Sequence, residues 1–321
     1  MKSLQLLALG MTLVLSSCGG SSFTGASQNV GTGLGLTSAN ALVAAGASFN
    51  AAFASADLAD VGSNIGVTFS APNSSASTTA KRQISGFLVN VLNQVPFGPD
   101  VSPCAISGTM TISGDIADPL TLTAGDTFNV EATACDDGIG EVVDGLIGLV
   151  VIDFTGDLLT GSYLLAMDAT LDGFQVTTPN DVVSSTGDVS IALDTTASPF
   201  VSASVSGTSM MTSNNASTET LSNYATQQTV DAGRTPAPYT LTSRGTVDSS
   251  QLSGKVSYTT PMQFEGDDVD YPHTGELLIT GDGSTVHLIA LDNINVRIEL
   301  DSDGDGIVDV TVDTTWAALT T

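Results

Sequence analysis

Alternating aspartates near the end of the chain could bind a metal ion. The segment DSDGDGIVD (301–309) has aspartates at 301, 303, 305 and 309, with a glycine directly after the second and the third. Calcium takes about six to eight oxygen ligands, and carboxylates spaced in this way can point into one concavity. The glycine after the third aspartate, Gly306, permits the sharp turn that brings a later carbonyl inward. The segment therefore predicts an oxygen-rich loop suited to calcium.

The same nine residues resemble the loops of EF-hands and of other bacterial and extracellular calcium sites with the pattern Asp-x-Asp-x-Asp-Gly. That resemblance implies a position-by-position ligand set. Its members are the side chains of Asp301, Asp303 and Asp305, the backbone carbonyl of Ile307, and Asp309 directly or through water.

The chain departs from that pattern in two ways. Related loops carry a bidentate glutamate at the twelfth position, whereas this chain has Val312 there, and Asp313 could substitute by a shift of one residue. The flanks 294–300 and 307–312 alternate like strands, so we expect a structural ion and no helix opening. An acidic, glycine-rich hairpin turn that binds nothing is the alternative.

Other candidate catalytic groups are few. The chain has two histidines, and His287 lies in a predicted strand, where a packed or surface role is the ordinary one. His273 follows Asp267, Asp268 and Asp270, which could form a second metal cluster or the site of a hydrolase, or simply a solvated loop. No nucleophile elbow, zinc-protease motif or phosphate loop occurs in the sequence. These observations favour a non-enzymatic protein and leave the enzyme question open.

The N-terminal segment predicts export. Lys2 precedes an apolar run over 4–15, which is too short to span a membrane and is typical of a secretory signal. The residues LSSC (15–18) resemble the lipobox of bacterial lipoproteins. That resemblance implies a signal peptide over 1–17 and acyl chains such as palmitate on Cys18. Ordinary signal cleavage beside an incidental cysteine is the alternative.

Charge limits the possible partners. The chain carries 34 acidic and 7 basic residues, a formal net charge of −27. Such a surface repels nucleic-acid phosphates and anionic lipid headgroups, so nucleic-acid binding is not expected and acyl chains would have to provide membrane attachment. Gly19 stands where an aspartate would resemble an inner-membrane retention signal, and that likeness favours the outer membrane.

Two cysteines remain in the body, Cys104 and Cys135. In an exported protein an even pair predicts a disulfide, which would stabilise the fold by roughly 3–4 kcal/mol in the chain-entropy model. Two free buried thiols are the alternative. No spacing typical of zinc or redox sites occurs.

The segment before the predicted sheet divides into a tether and a helical flank. Residues 18–37 are rich in glycine, serine and threonine and predict a flexible tether. Residues 38–96 predict two helices. The first is capped by Ser38, ends near residue 56 and has a stripe of Leu42, Phe49 and Phe53. The second has an apolar stripe over 84–92 and stops before Pro96.

From residue 97 to 321 the apolar period is two, which predicts a β domain. Alternation is clearest in four runs: Tyr163 to Leu171, Val189 to Leu193, Val201 to Val205 and Val286 to Ala290. Short turns between them predict an antiparallel meander of about ten to thirteen strands. We expect a curled sheet, barrel-like or two-layered, because an open sheet of that width curls or splits. In 146–154 both alternate sets are apolar, which predicts cover on both faces, with the two helices as the candidates.

The whole chain resembles uncharacterised lipoproteins of Gram-negative bacteria that have a cysteine-pinned β meander and an Asp/Gly loop followed by Thr-Trp, here Thr315-Trp316. That resemblance implies no activity. The expected function is a membrane-anchored, non-enzymatic scaffold that binds an envelope protein or supports the envelope. An envelope glycan or peptide hydrolase and a calcium-dependent adhesion module are the alternatives.

Overall fold

In the described residues, fourteen antiparallel strands form one sheet in which neighbours in the sequence are neighbours in space. The computed structural model describes residues 33–57, 99–117, 122–136, 138, 141–157, 161–179, 182–214 and 217–320. The strands are β1 (Asp100–Pro103), β2 (Ser107–Asp115), β3 (Thr127–Asp136), β4 (Val142–Asp157), β5 (Ser162–Thr177), β6 (Val182–Asp194), β7 (Phe200–Ser213), β8 (Thr218–Asp231), β9 (Pro238–Ser249), β10 (Lys255–Asp267), β11 (Thr274–Thr280), β12 (Thr285–Ala290), β13 (Asn295–Asp301) and β14 (Val310–Thr315). Helix α1 (Ala41–Asp57) precedes the sheet, and the short helix α2 (Trp316–Leu319) follows it.

The predicted meander is confirmed, with fourteen strands instead of ten to thirteen. The sheet is open, with β1 and β14 at its edges. The predicted signal peptide, most of the tether and the second predicted helix lie outside the described residues.

The alternation seen in the sequence separates two faces of the sheet. On one face, which we call the inner face, apolar side chains are buried, among them Leu165 and Met167 of β5 and Val205 of β7. The other face, the outer face, carries serine and threonine. Hydroxyls pair across strands there, as between Ser202 and Thr229 at 3.0 Å. Such cross-strand pairs stabilise a solvent-facing sheet without apolar side chains.

Helix α1 packs against half of the strands of the sheet. It contacts seven consecutive strands, β7 to β13. Seven strands span roughly 30 Å, and the 17-residue helix is roughly 25 Å long, so one helix can cover most of this width. Twelve of the sixteen residues over 41–56 are buried, and most of these twelve are alanines or serines.

The structure corrects two details of the predicted first helix. A turn over residues 37–40 precedes the helix, in which the Thr37 carbonyl accepts the N–H groups of Asn40 and Ala41, so the helix begins three residues after Ser38. Phe49 and Phe53 are buried as predicted, but Leu42 is 42 % exposed. The predicted apolar stripe wrongly included Leu42. Most of the buried residues of this helix have small side chains, which an analysis of large apolar residues overlooks.

An aromatic cluster joins the two ends of the described chain. Trp316 is fully buried, and its ring centroid lies 4.6 Å from that of Phe49 in α1. Tyr271 stacks on Trp316 at 5.9 Å, and Phe264 of β10 meets it edge-on at 6.4 Å. The indole Nε1–H donates to the carbonyl of Asp292 at 3.0 Å, which satisfies the one polar atom of the ring.

The predicted double cover of 146–154 is wrong for part of β4. Val150 and Ile152 are 39 % and 50 % exposed on the outer face. The pairing of β4 with β5 shifts between Val151 and Asp153, so Ile152 is the extra residue of a bulge. Beyond the bulge the phase changes, and Phe154 comes to lie opposite the buried Leu165. Val150, Ile152 and Phe154, which alternation in the sequence would place on one face, are thus divided between two faces.

The predicted disulfide is confirmed. Cys104 follows β1 and is bonded to Cys135 of β3, with Cα atoms 5.5 Å apart. Because β2 lies between these strands, the bond fastens the four-residue edge strand β1 across its neighbour. In the chain-entropy model a loop of this length contributes about 3–4 kcal/mol.

Replacing Trp316 tests the aromatic cluster. We expect Trp316→Ala to lower the free energy of unfolding by about 3–5 kcal/mol, because a large buried ring leaves a cavity. Val269→Ala, at a side chain that is 69 % exposed, should change it by less than about 0.5 kcal/mol. Urea unfolding followed by circular dichroism measures both variants, since Trp316 is the only tryptophan. Equal effects would contradict the role given to the cluster.

Candidate metal centre

The aspartate loop connects the last two strands of the sheet. β13 ends at Asp301 and β14 begins at Val310, and Asp309 N–H donates to the Leu300 carbonyl to close the hairpin. Gly304 and Gly306 have φ values of 74° and 85°, a conformation that favours glycine. The glycines of the motif are therefore where the backbone turns, as the sequence predicts.

Asp301 organises the loop from within. Its side chain is buried, and the residue is 8 % exposed. One carboxylate oxygen accepts Gly304 N–H at 2.7 Å, and the other accepts Gly306 N–H at 2.8 Å. Each oxygen has a further lone pair, so these bonds orient the carboxylate without using all its acceptor capacity.

Three of the predicted ligands come together. Oxygens from Asp301, Asp303 and Asp309 all lie within 4.8 Å of one another, and this group could hold a metal ion. An Asp303 oxygen also accepts Asp305 N–H at 3.2 Å. One oxygen of Asp309 accepts two bonds from Ser302, from N–H at 2.8 Å and from Oγ at 2.5 Å. We call these three carboxylates the Asp301 group.

Asp305 and Asp313 are not members of the Asp301 group. An Asp305 oxygen accepts Ile307 N–H at 2.8 Å, and the Ile307 side chain is 67 % exposed. Asp313 lies on β14 and forms a two-pronged ion pair with Arg297 of β13, at 2.8 Å to Nε and 3.1 Å to the second nitrogen. Arg297 and Asp313 are directly opposite each other in the register of the two strands.

The electrostatics follow these contacts. Bonds from Ser302 lower the pKa of Asp309 below the usual value for aspartate. The bond from Arg297 likewise lowers the pKa of Asp313, and Asp313 in turn raises the pKa of Arg297. Asp313 is thus held as a carboxylate by a cation of the protein itself.

Ser302 is the residue that the sequence reasoning missed. It binds Asp309 through two donors and so positions one carboxylate of the Asp301 group. A serine directly after the first aspartate could have indicated this role in the sequence, because serine hydroxyls commonly bond to nearby groups in turns. The spacing of the aspartates alone does not reveal this role.

The second acidic segment is arranged differently. Asp268 accepts Ala237 N–H at 3.0 Å, and Asp270 accepts a bond from the Asn293 side chain at 3.3 Å. The backbone N–H of His273 donates to the Glu265 carbonyl. Among the described residues, the Asp301 group is the one set of three or more carboxylate, histidine or cysteine side chains that meets metal-binding distances, so these residues and Asp267 do not form a second.

His287 lies in β12 as predicted. Its neighbours Val286 and Leu288 are buried on the inner face, so the histidine is on the outer face. Its Nε2 is 3.0 Å from an oxygen of Glu276 on β11. Both side chains are partly exposed, which fits a surface pair more than a catalytic one.

The comparisons with known proteins add no relative. No protein-family model, no curated protein and no solved structure matches this chain. Within the described residues, no helix combines the length and apolar character needed to cross a membrane. Cys18, the residue of the predicted lipid anchor, lies outside the described residues.

Arg297→Gln tests the pairing of Asp313. Loss of the cation should raise the pKa of Asp313 toward the ordinary aspartate value, measured by NMR titration of its carboxyl carbon. Because the folded-state pKa is lowered, the stabilisation is present above the ordinary value and is lost as pH falls through the lowered one. Arg297→Gln should therefore lose this pH-dependent contribution to the free energy of unfolding.

Asp292 is the matched control for this titration. Its pKa is lowered by bonds from Asn295 and Ile294, not by Arg297, so it should titrate alike in both proteins. An Asp313 pKa unchanged by Arg297→Gln would contradict the assignment.

Proposed function

We propose that this protein is a lipid-anchored scaffold of the bacterial cell envelope, non-enzymatic, with a calcium ion that stabilises its last hairpin. The observation that carries the scaffold proposal is the single unbroken meander with a hydroxyl-covered outer face. Such a surface offers a large polar area for a partner or for the envelope itself. The partner is expected to be an envelope protein and not a nucleic acid, given the net charge of −27.

The disulfide supports the proposed compartment. Bonds such as Cys104–Cys135 persist in oxidising compartments and are uncommon in the cytosol. Together with the apolar segment that ends at Cys18, this favours an exported protein held by acyl chains. The outer membrane is the favoured site because Gly19, not an aspartate, follows Cys18.

Calcium is the proposed occupant of the Asp301 group. Three carboxylates are hard oxygen donors, which suit calcium or magnesium better than zinc. Calcium also tolerates irregular coordination better than magnesium does, and only three carboxylates of the described chain meet here. We expect an affinity of roughly 10⁻⁴–10⁻³ M, the range of extracellular sites. The ion would join β13 to the loop and offset the repulsion among the three carboxylates.

The hydrolase hypothesis gains no support from the geometry. Asp268 and Asp270 are engaged by Ala237 and Asn293 as described above, and these bonds hold together the ends of neighbouring strands. We therefore assign these acids to turn structure.

The lipid anchor is tested by labelling cells with a palmitate analogue. The wild-type protein should incorporate label, and Cys18→Ala should not, because the acylated thiol is absent. Cys104→Ala is the matched control for loss of a cysteine, since Cys104 is bonded to Cys135 and takes no acyl chain. Equal labelling of the wild type and Cys18→Ala would refute the anchor.

Calcium binding is tested by thermal unfolding with and without the ion. At about 10 mM calcium, an ion of the expected affinity should stabilise the protein by about 1–3 kcal/mol, with a rise in melting temperature. Asp303→Asn should abolish this rise. Asp313→Asn should keep it, because Asp313 is paired with Arg297 outside the group.

Two results would contradict the calcium assignment. One is an unchanged melting temperature of the wild type on adding calcium or chelator. The other is a full calcium response in Asp303→Asn, which would place the ion elsewhere.

A further inference from the structure

The first described residues run along one end of the sheet. Leu34 N–H donates to the Lys255 carbonyl at 3.0 Å, and Asp282 N–H donates to the Leu34 carbonyl at 2.9 Å. Leu36 N–H donates to Ser284 Oγ at 2.7 Å. Lys255 begins β10 and Asp282 and Ser284 lie between β11 and β12, so the chain from the predicted tether is bonded to two successive turns at the same end.

The aspartate loop occupies that same end. A Cβ added at Gly304 would lie only 2.8 Å from the Gly283 carbonyl, so the loop packs directly on the β11–β12 turn. We call this end of the sheet, formed by turns 250–254 and 281–284 and loop 302–309, the tether end. The connections before β11 and before β13 lie at the opposite end, because neighbouring strands are antiparallel.

Both ends expose aliphatic side chains. At the tether end Ile307 is 67 % and Val308 is 46 % exposed. At the opposite end Val269 and Ile294 are 69 % and 61 % exposed. Exposure by itself does not distinguish the two ends. They differ because the chain that precedes α1 is bonded to the tether end.

The tether is short compared with the sheet. Fourteen residues lie between Cys18 and Gly33, and a flexible chain of that length has a mean reach of about 20 Å. The seven residues of β13 separate Ile294 from the loop by roughly 24 Å along the strand. A lipid anchor on Cys18 would therefore lie closer on average to the tether end than to the opposite end.

From this juxtaposition we infer that the tether end faces the phospholipid surface, with Ile307 and Val308 at the boundary between headgroups and acyl chains. The inference rests on the proposed function, because the membrane concerned is the one that holds the acylated Cys18. Lipid is the occupant favoured over a second copy of the chain, because an acylated Cys18 would hold the tether end close to the membrane whatever the protein concentration. Aliphatic side chains next to the tether gain burial there, and calcium at the Asp301 group would offset repulsion by lipid phosphates.

The test uses the full acylated protein in phospholipid vesicles with calcium present. A single cysteine is introduced as Ile307→Cys, with Val308→Cys as a second probe and Ile294→Cys as the matched control at the opposite end. All three side chains are exposed, so the fold should tolerate the changes. The native cysteines are bonded or acylated, which leaves the new thiol as the one that takes an environment-sensitive fluorophore. Vesicles with nitroxide-labelled lipid then report proximity to the acyl chains.

We expect the fluorophore at 307 and at 308 to lose fluorescence to the nitroxide lipid and the one at 294 to keep it. Equal loss at both ends, loss at 294 alone, or no loss at any position would overturn the inference. If the emission of the fluorophore at 307 changes with protein concentration and not with lipid, a second copy of the chain covers this end. That result would also overturn the inference. Flotation of the same samples separates the two proposals: protein that fails to float with vesicles refutes the anchor, whereas floating protein without loss at 307 refutes only the orientation.

Discussion

The rest of the structure depends on removing one continuous apolar face of a single sheet from water. The described meander of fourteen strands places most of its apolar side chains on one face, so that face has to be enclosed. Over β7 to β13 the enclosure comes from α1, which packs against all seven of these strands. The helix is rich in alanine and serine, and such small side chains allow backbones to approach closely from several directions. Ser55 joins this packing by bonding to Thr226 of β8, whose hydroxyl also bonds to Ser243 of β9.

The two ends of the described chain complete the enclosure together. Trp316, which comes after the last strand, packs on Phe49, which comes before the first. Gly46 lies beneath α2, where a Cβ would stand 2.4 Å from the Leu319 carbonyl, so a larger residue at that position would separate the helices. Because α2 follows β14 directly, the same packing holds the last hairpin and its aspartate loop against the body. At the other edge the disulfide serves a similar purpose for β1.

The aspartate loop divides its acids between two tasks. Asp301 is buried and shapes the loop through two glycine N–H groups, while Asp303 and Asp309 bring further oxygens close to it. Asp313, four residues beyond Asp309, is neutralised by Arg297 on the neighbouring strand and stabilises the hairpin instead. A cation at the group and a guanidinium beside it would together balance the acidic end of the chain. The scaffold proposal and the calcium proposal are thus connected, since both concern how an acidic, hydroxyl-rich sheet keeps its last strands in place.

By itself the sequence determined the period of the β domain, the helix around Phe49 and Phe53, the cysteine pair and the position of the aspartate loop, because each depends on residue type and local spacing. Only the tertiary structure decided which residues of a pattern act together. The bulge at Ile152 changes the phase of β4, and strand pairing, which no local pattern records, determines where a bulge falls. Asp313 fits the spacing of a ligand, yet cross-strand register places it opposite Arg297. The nearness of Leu34 to the aspartate loop depends on two turns from distant parts of the chain meeting at one end of the sheet, and such meetings arise only when the strands are assembled.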